Sequence, residues 1–188
     1  MIKKYFLILI LGYFSTNILA QSNFNAGASF NIGFPTGSFP SLAKTGIGGS
    51  IIGEYAFKKS FSIMLSGSYQ NFPAEFEDVA VQGQVISLSL TVLPVLAGLR
   101  YYFNNQFFGI VEAGVHFIKL NAEAYSVYNT DKYSTDYKAK YGGSFGVGYR
   151  HQLAEASVFE ITGTYQLVED DFNSFSLKMG VLILLDNI

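Results

Sequence analysis

From about Phe24 to Ile188 the chain alternates one bulky apolar residue with one small or polar residue, in about eight segments whose connections run long, short, long, short. Successive side chains of a strand point to opposite faces, so a period of two gives each segment one greasy face and one wet face. That pattern predicts an all-β fold: an eight-stranded antiparallel up-and-down transmembrane β-barrel with its apolar face toward lipid.

The first segment sets Phe24, Ala26, Ala28, Phe30, Ile32 and Phe34 against Asn25, Gly27, Ser29, Asn31 and Gly33. The second sets Ile47, Ile51, Tyr55 and Phe57 against Gly46, Gly48, Ser50 and Glu54, and a tight turn at Lys58, Lys59 and Ser60 follows. The third has Phe61, Ile63, Leu65 and Tyr69 opposite Ser62, Ser66, Ser68 and Gln70, and leads to an acidic loop at Glu75, Glu77 and Asp78. In the fourth, Ile86, Leu88, Leu90 and Val92 are expected outside, with a bulge at Pro94 that shifts the phase, because proline cannot donate to a ladder. The fifth, after a turn at Asn104-Asn105, turns Glu112, Gly114 and His116 inward. Its long loop is expected over 121–138. Strands six to eight are expected over 141–149, 157–168 and 173–185, with a turn around 150–156.

Residues 1–20 read as a cleaved signal peptide, leaving 21–188 as one barrel domain. Lys3 and Lys4 precede an apolar run from Tyr5 to Phe14, and a small-residue approach leads to a cut before Gln21. The run is too short to span as a helix. Without Lys3 and Lys4, ten of the twelve basic side chains face fourteen acidic ones, a formal charge of −4. Such a balance gives no footprint for nucleic acid. With no Cys, an exported chain must hold by packing and hydrogen bonds. Nineteen Gly, thirteen Tyr and eighteen Phe with 14% charged residues suit a barrel that is apolar outside and small inside. A soluble lipocalin-like binder would place the Gly- and Ser-rich face in water with few charges to keep it soluble.

Long connections then face outward and short ones the periplasm. Aromatics form two candidate girdles, one at Phe57, Phe61, Tyr101, Phe103, Phe107, Tyr149 and Phe159, the other at Tyr69, Phe117, Tyr141, Tyr165 and Phe175. On these residues the chain resembles the outer-membrane β-barrel family of Gram-negative envelopes, the OmpA-like and OmpX-like eight-stranded barrels. The segment Leu93-Pro94-Val95-Leu96-Ala97-Gly98-Leu99-Arg100-Tyr101-Tyr102-Phe103 is similar to the proline-containing fourth strand of porin-like members, and Phe175 to Leu185 to their closing strand. The resemblance implies outer-membrane lipid around a monomer and the barrel assembly machinery as a partner in biogenesis. That machinery often reads a terminal aromatic, whereas this chain finishes Leu185-Asp186-Asn187-Ile188.

On the expected inner face lie Glu54, Arg100, Glu112, His116, Lys140, Glu160 and Lys178. Charges at membrane depth must face one another or water. These form either a salt-bridged plug, since eight strands enclose a space only just filled by side chains, or the lining of a narrow porin-like channel for ions or small solutes. A catalytic site needs a nucleophile, a base and an orienting acid in reach of one another. His116 and Glu112 are about 13 Å apart along a strand, and the close His and Ser pair of lipid-modifying barrel deacylases is missing at His116-Phe117-Ile118 and His151-Gln152-Leu153. The reading is therefore non-enzymatic, with no catalytic residue, metal or cofactor. Tyr125, Tyr128, Tyr133 and Tyr137 in the longest loop form the candidate surface for an extracellular partner. An envelope-structural role is the other reading of the same loops.

Overall fold

The computed structural model describes residues 24–39, 43–74, 79–81, 84–125 and 130–185. The leader 1–20, the acidic positions Glu75, Glu77 and Asp78, Tyr128 and the last three residues lie outside them. The strands are β1 (Phe24–Pro35), β2 (Gly46–Lys58), β3 (Phe61–Pro73), β4 (Val79–Val81), β5 (Gln84–Tyr102), β6 (Phe107–Tyr125), β7 (Thr130–Ser134), β8 (Lys138–Ala154), β9 (Ser157–Val168) and β10 (Ser174–Leu184). Eight of them close a ring in the order β1-β2-β3-β5-β6-β8-β9-β10, every neighbour antiparallel. The seam runs from Asn25 opposite Leu184 to Pro35 opposite Ser174, so no strand edge of the ring is left open. The fold is an eight-stranded antiparallel up-and-down transmembrane barrel.

β4 and β7 are the additional strands. β4 pairs with β5 through Val79 opposite Ile86, and β7 pairs with β6 from Asn121 opposite Ser134 to Tyr125 opposite Thr130. Together they carry β5 and β6 past the rim as a small four-stranded extension. The loop expected over 121–138 is thus mostly a hairpin, because the alternation of β6 persists through Ala122 and Ala124. At the other end the connections are tight. Asn104 closes one of them by accepting, through its side-chain oxygen, the backbone N–H groups of Gln106 and Phe107, each at 2.8 Å.

Except in the first half of β5, the outward face is the one the alternation assigned, with Ile51 69% and Val147 65% exposed. So broad an exposed apolar surface is stable against lipid and would be a liability in water. Aromatic rings ring the short-turn end: Phe61 lies 4.8 Å from Tyr101, Tyr101 5.3 Å from Phe103, and Phe107 5.2 Å from Tyr149.

Three expectations require correction. Pro94 makes no bulge: the β5 ladder with β3 omits Leu93 and Pro94 and resumes in the same register, while Pro94 stays opposite His116 on the β6 side. The missing N–H is absorbed as a gap in one ladder, with no residue inserted. Phase is therefore continuous, and Leu90 and Val92 point inward, where they are buried with Phe39, Phe72 and Ile118. Ser89 and Thr91 take the outer face. Finally, the expected turn at 150–156 shrinks to Glu155 and Ala156, so that Arg150 remains in β8 on its inward side.

Candidate functional site: the charged interior and the outer rim

At the short-turn end of the lumen, parity alone brings four charges together. Glu54 stands four residues from the end of β2, Arg100 two from the end of β5, Arg150 four from the end of β8 and Glu160 three past the start of β9. Arg100 Nη1 donates to Glu54 Oε2 at 2.9 Å and to Glu160 Oε1 and Oε2 at 3.0 and 3.1 Å. Arg150 reaches the same two carboxylates, Nη2 to Glu54 Oε2 at 3.0 Å and Nε to Glu160 Oε1 at 2.8 Å. Two cations and two anions thus share one buried cluster. Tyr102 donates its hydroxyl to Glu54 Oε1 at 2.5 Å, and its ring carries the Arg150 guanidinium at 4.8 Å. Arg100 lies over the Phe108 ring at 4.5 Å. Charge-assisted, multiply donated pairs of this kind are the strong ones.

Midway up, Glu112 accepts the hydroxyls of Ser66 at 2.9 Å and Ser144 at 2.7 Å, and Lys178 Nζ stands 3.9 Å from its Oε2. Higher still, His116 is fully buried with neither ring nitrogen hydrogen-bonded to a described residue. Gln70 donates to Ser176 at 3.4 Å on the same level. Above this an apolar layer closes the lumen: Phe39, from the β1–β2 connection, packs its ring 5.2 Å from Phe72 and 5.4 Å from Phe172. Two interior voids, one beside Arg100 and Lys178 and one beside His116, each hold about 10 Å³, room for about a single water.

Five of the seven inner-face residues thus enter two ionic groups, Glu54, Arg100 and Glu160 in one and Glu112 and Lys178 in the other. His116 enters neither. Lys140 is set apart at the opposite rim, ion-paired with Asp170 of the short 3-10 turn Glu169–Asp171. Arg150 is the functional residue that reading the sequence missed. Its signal was present in Gly142, Ser144, Gly146 and Gly148, whose even positions run inward and continue to 150. His151, on the outward side of β8, is exposed and stacks on Tyr149.

Outside the rim, Tyr133 and Tyr137 are exposed. Tyr125 ends β6, so the four tyrosines do not all belong to one loop. Asn71, Thr91 and Lys119 form one outward row across β3, β5 and β6, and Ser89, Asn121 and Ser134 the next. Thr91 Oγ1 accepts the side-chain amides of Asn121 at 2.9 Å and Asn71 at 3.5 Å. Lys119 Nζ lies 5.3 Å from the Tyr137 ring.

No family model matches the chain, and no curated protein does. Among solved structures, the crystal structure of Ail, the attachment invasion locus protein of Yersinia pestis, matches with a TM-score of 0.51 at 17% identity, covering 85% of this chain and 95% of that one. The same protein in complex with the heparin analogue sucrose octasulfate gives a TM-score of 0.50 at 16% identity, covering 85% and 95%. Neisserial surface protein A gives 0.50 at 14% identity, covering 87% and 97%. At such identities the likeness is one of fold, that of the small eight-stranded outer-membrane barrels.

Proposed function

We propose that this chain, which has the fold of small outer-membrane barrels, is itself an outer-membrane protein: exported through a cleaved leader at 1–20, assembled as a monomer by the barrel machinery, and non-enzymatic. It serves the envelope through what it displays at the surface, and conducts nothing. The observation that carries this reading is the sealed lumen. Among the described residues, the ionic cluster at one end is paired internally, the Phe39-Phe72 layer covers the other, and the two voids beside Arg100 and His116 are each the size of a water. A conduction path needs a continuous wet route with exchangeable ligands.

With the interior filled, the surfaces left for work are the β4-β5-β6-β7 extension and the tyrosines around it. Exposed tyrosines supply contact area and a hydrogen-bonding tip at low entropy cost. A surface role accords with the fold relatives, one named for attachment and crystallised with a heparin analogue, the other named as a surface protein. Planar-bilayer recording tests the closed lumen: the purified barrel should give no steps above baseline. Whole cells carrying the intact chain or one with 122–133 replaced by a short turn then separate display from scaffold. Loss of binding to host-surface material with the shortened chain supports recognition, and unchanged binding with a weakened envelope supports the structural role. Regular single-channel steps would replace both with the channel reading.

A further inference from the structure

One buried titratable group takes no part in the contacts that seal the lumen. His116 projects inward from β6, 0% exposed, and neither Nδ1 nor Nε2 has a hydrogen-bond partner among the described residues. Gln70 Oε1, also buried and unpartnered, belongs to a residue that borders the same void of about 10 Å³. Phe39, Phe72 and Phe172 close that void from above. Phe72 is part of the wall, seated against Gly33 and Gly46, where a Cβ would come within 2.8 and 2.5 Å of its ring. Phe39 is held more lightly. Its amide donates to the Thr36 carbonyl at 3.3 Å and its carbonyl accepts the Ala43 amide at 3.1 Å, and both bonds lie outside the ladders of the ring.

A proton on His116 would be a charge sealed into this chamber. Around it β3 brings Gln70, β5 brings Val92 and Pro94, and β9 brings Gln166, all neutral. The charged neighbours are already committed. Glu112, one level below on β6 itself, holds Lys178 of β10 and the hydroxyls of Ser66 and Ser144. Lys140, opposite His116 on β8, is ion-paired with Asp170 at the rim. Among the described residues, then, no carboxylate is left over for an imidazolium. A buried charge without a partner is relieved by water, and the lightly held Phe39 ring is where water can enter. We infer that His116 is an acid-operated latch: neutral, it lets Phe39 cover the upper lumen, and on taking a proton it hydrates the chamber and turns Phe39 outward.

The latch goes beyond the display role proposed above, because it makes the displayed surface depend on acidity. Only the open form offers His116 to water, where an imidazole takes a proton near pH ~6.5. The closed form is therefore fully favoured above about pH 6.5 and loses about tenfold in population ratio for each unit below it. The ionic cluster at the short-turn end contains no histidine, so the lower plug stays shut while the cover opens. The other histidine of the chain, His151, is exposed on the outward side of β8.

The full mature barrel would be placed in phosphatidylcholine nanodiscs and its amide hydrogen exchange followed at about pH 7.5 and about pH 5, each rate divided by that of the unfolded chain at the same pH. Protection of the Phe39 and Ala43 amides should fall about thirtyfold between the two, and return on neutralisation. The Tyr102 amide, which donates to the Ser60 carbonyl at 2.9 Å beside the lower cluster, should keep its protection. His116→Gln and His116→Leu, neutral at both acidities, should each remove the response. The chain has no Trp, so Phe39→Trp supplies a second readout: its indole should be shielded from acrylamide at the higher pH and quenched at the lower. Unchanged protection of Phe39 and Ala43 in the unsubstituted barrel, the same loss in a folded His116 variant, or an equal loss at Tyr102 would overturn the latch.

Discussion

Replacing Arg100 by Met should destabilise the barrel strongly, and replacing Glu54 at the same time should restore part of the loss. Arg100 is 1% exposed, and its Nη1 pairs with both Glu54, at 2.9 Å, and Glu160, at 3.0 Å. Without it, two buried carboxylates share the single guanidinium of Arg150, and the cluster moves from neutral to one net negative charge. Removing one partner of a buried pair costs about 3 to 5 kcal/mol. Arg150 still touches both carboxylates, and at 15% side-chain exposure it admits some screening by water, so a loss of about 2 to 4 kcal/mol is expected. With a urea slope of about 2 kcal/mol per molar, the midpoint should fall by about 1 to 2 M. In Glu54→Leu/Arg100→Met the remaining Arg150–Glu160 pair is neutral again, so the double variant should be more stable than Arg100→Met alone. This is a coupling that independent sites cannot produce. The chain has no Trp, so reversible unfolding in lipid vesicles would be followed by circular dichroism and by gel mobility before and after boiling. A midpoint unchanged in Arg100→Met, or two single losses that simply add in the double variant, would refute the plug. It would do so decisively if the same variant also opened a measurable conductance.

Further outcomes follow from the same geometry. A tag inserted at Thr130 should be labelled on intact cells and one at Lys59 should not, and the opposite labelling would invert the topology. Phe72→Ala removes a ring that is 1% exposed and should cost about 3 to 5 kcal/mol, while freeing the Phe39 segment to protease added outside; an unchanged digestion rate would refute the apolar cover. Gly146→Ala would set a Cβ 2.0 Å from the Gly163 carbonyl oxygen, so a loss of about 1 to 3 kcal/mol is expected from overpacking. Gly67→Ala, where a Cβ meets only Ile51, at 3.8 Å, should leave the urea midpoint where it was, and equal losses at the two glycines would argue against the assigned faces.

The sequence by itself determined the number of ring strands, their antiparallel order and which face of most strands meets lipid, because a period of two is a local property that each strand carries alone. It also placed Glu54, Arg100, Glu112, Glu160 and Lys178 on one face. Only the closed barrel decided which of them meet. Ring closure with its stagger puts Glu54 beside Arg100, 46 residues away, and Glu160 beside Arg100, 60 residues away, a relation that no spacing within one strand encodes. The same closure drew Arg150 into the cluster and left Lys140 at the far rim. Tertiary structure also reversed the reading of Leu90, Val92, Ser89 and Thr91. Beyond the lipid band the wall faces water outside and must be sealed inside, so apolar residues turn inward and polar ones outward with no change of phase. An apolar residue in an alternating strand carries no mark of whether lipid or a plug will cover it. That depends on its height in the barrel, which exists only once the ring has closed.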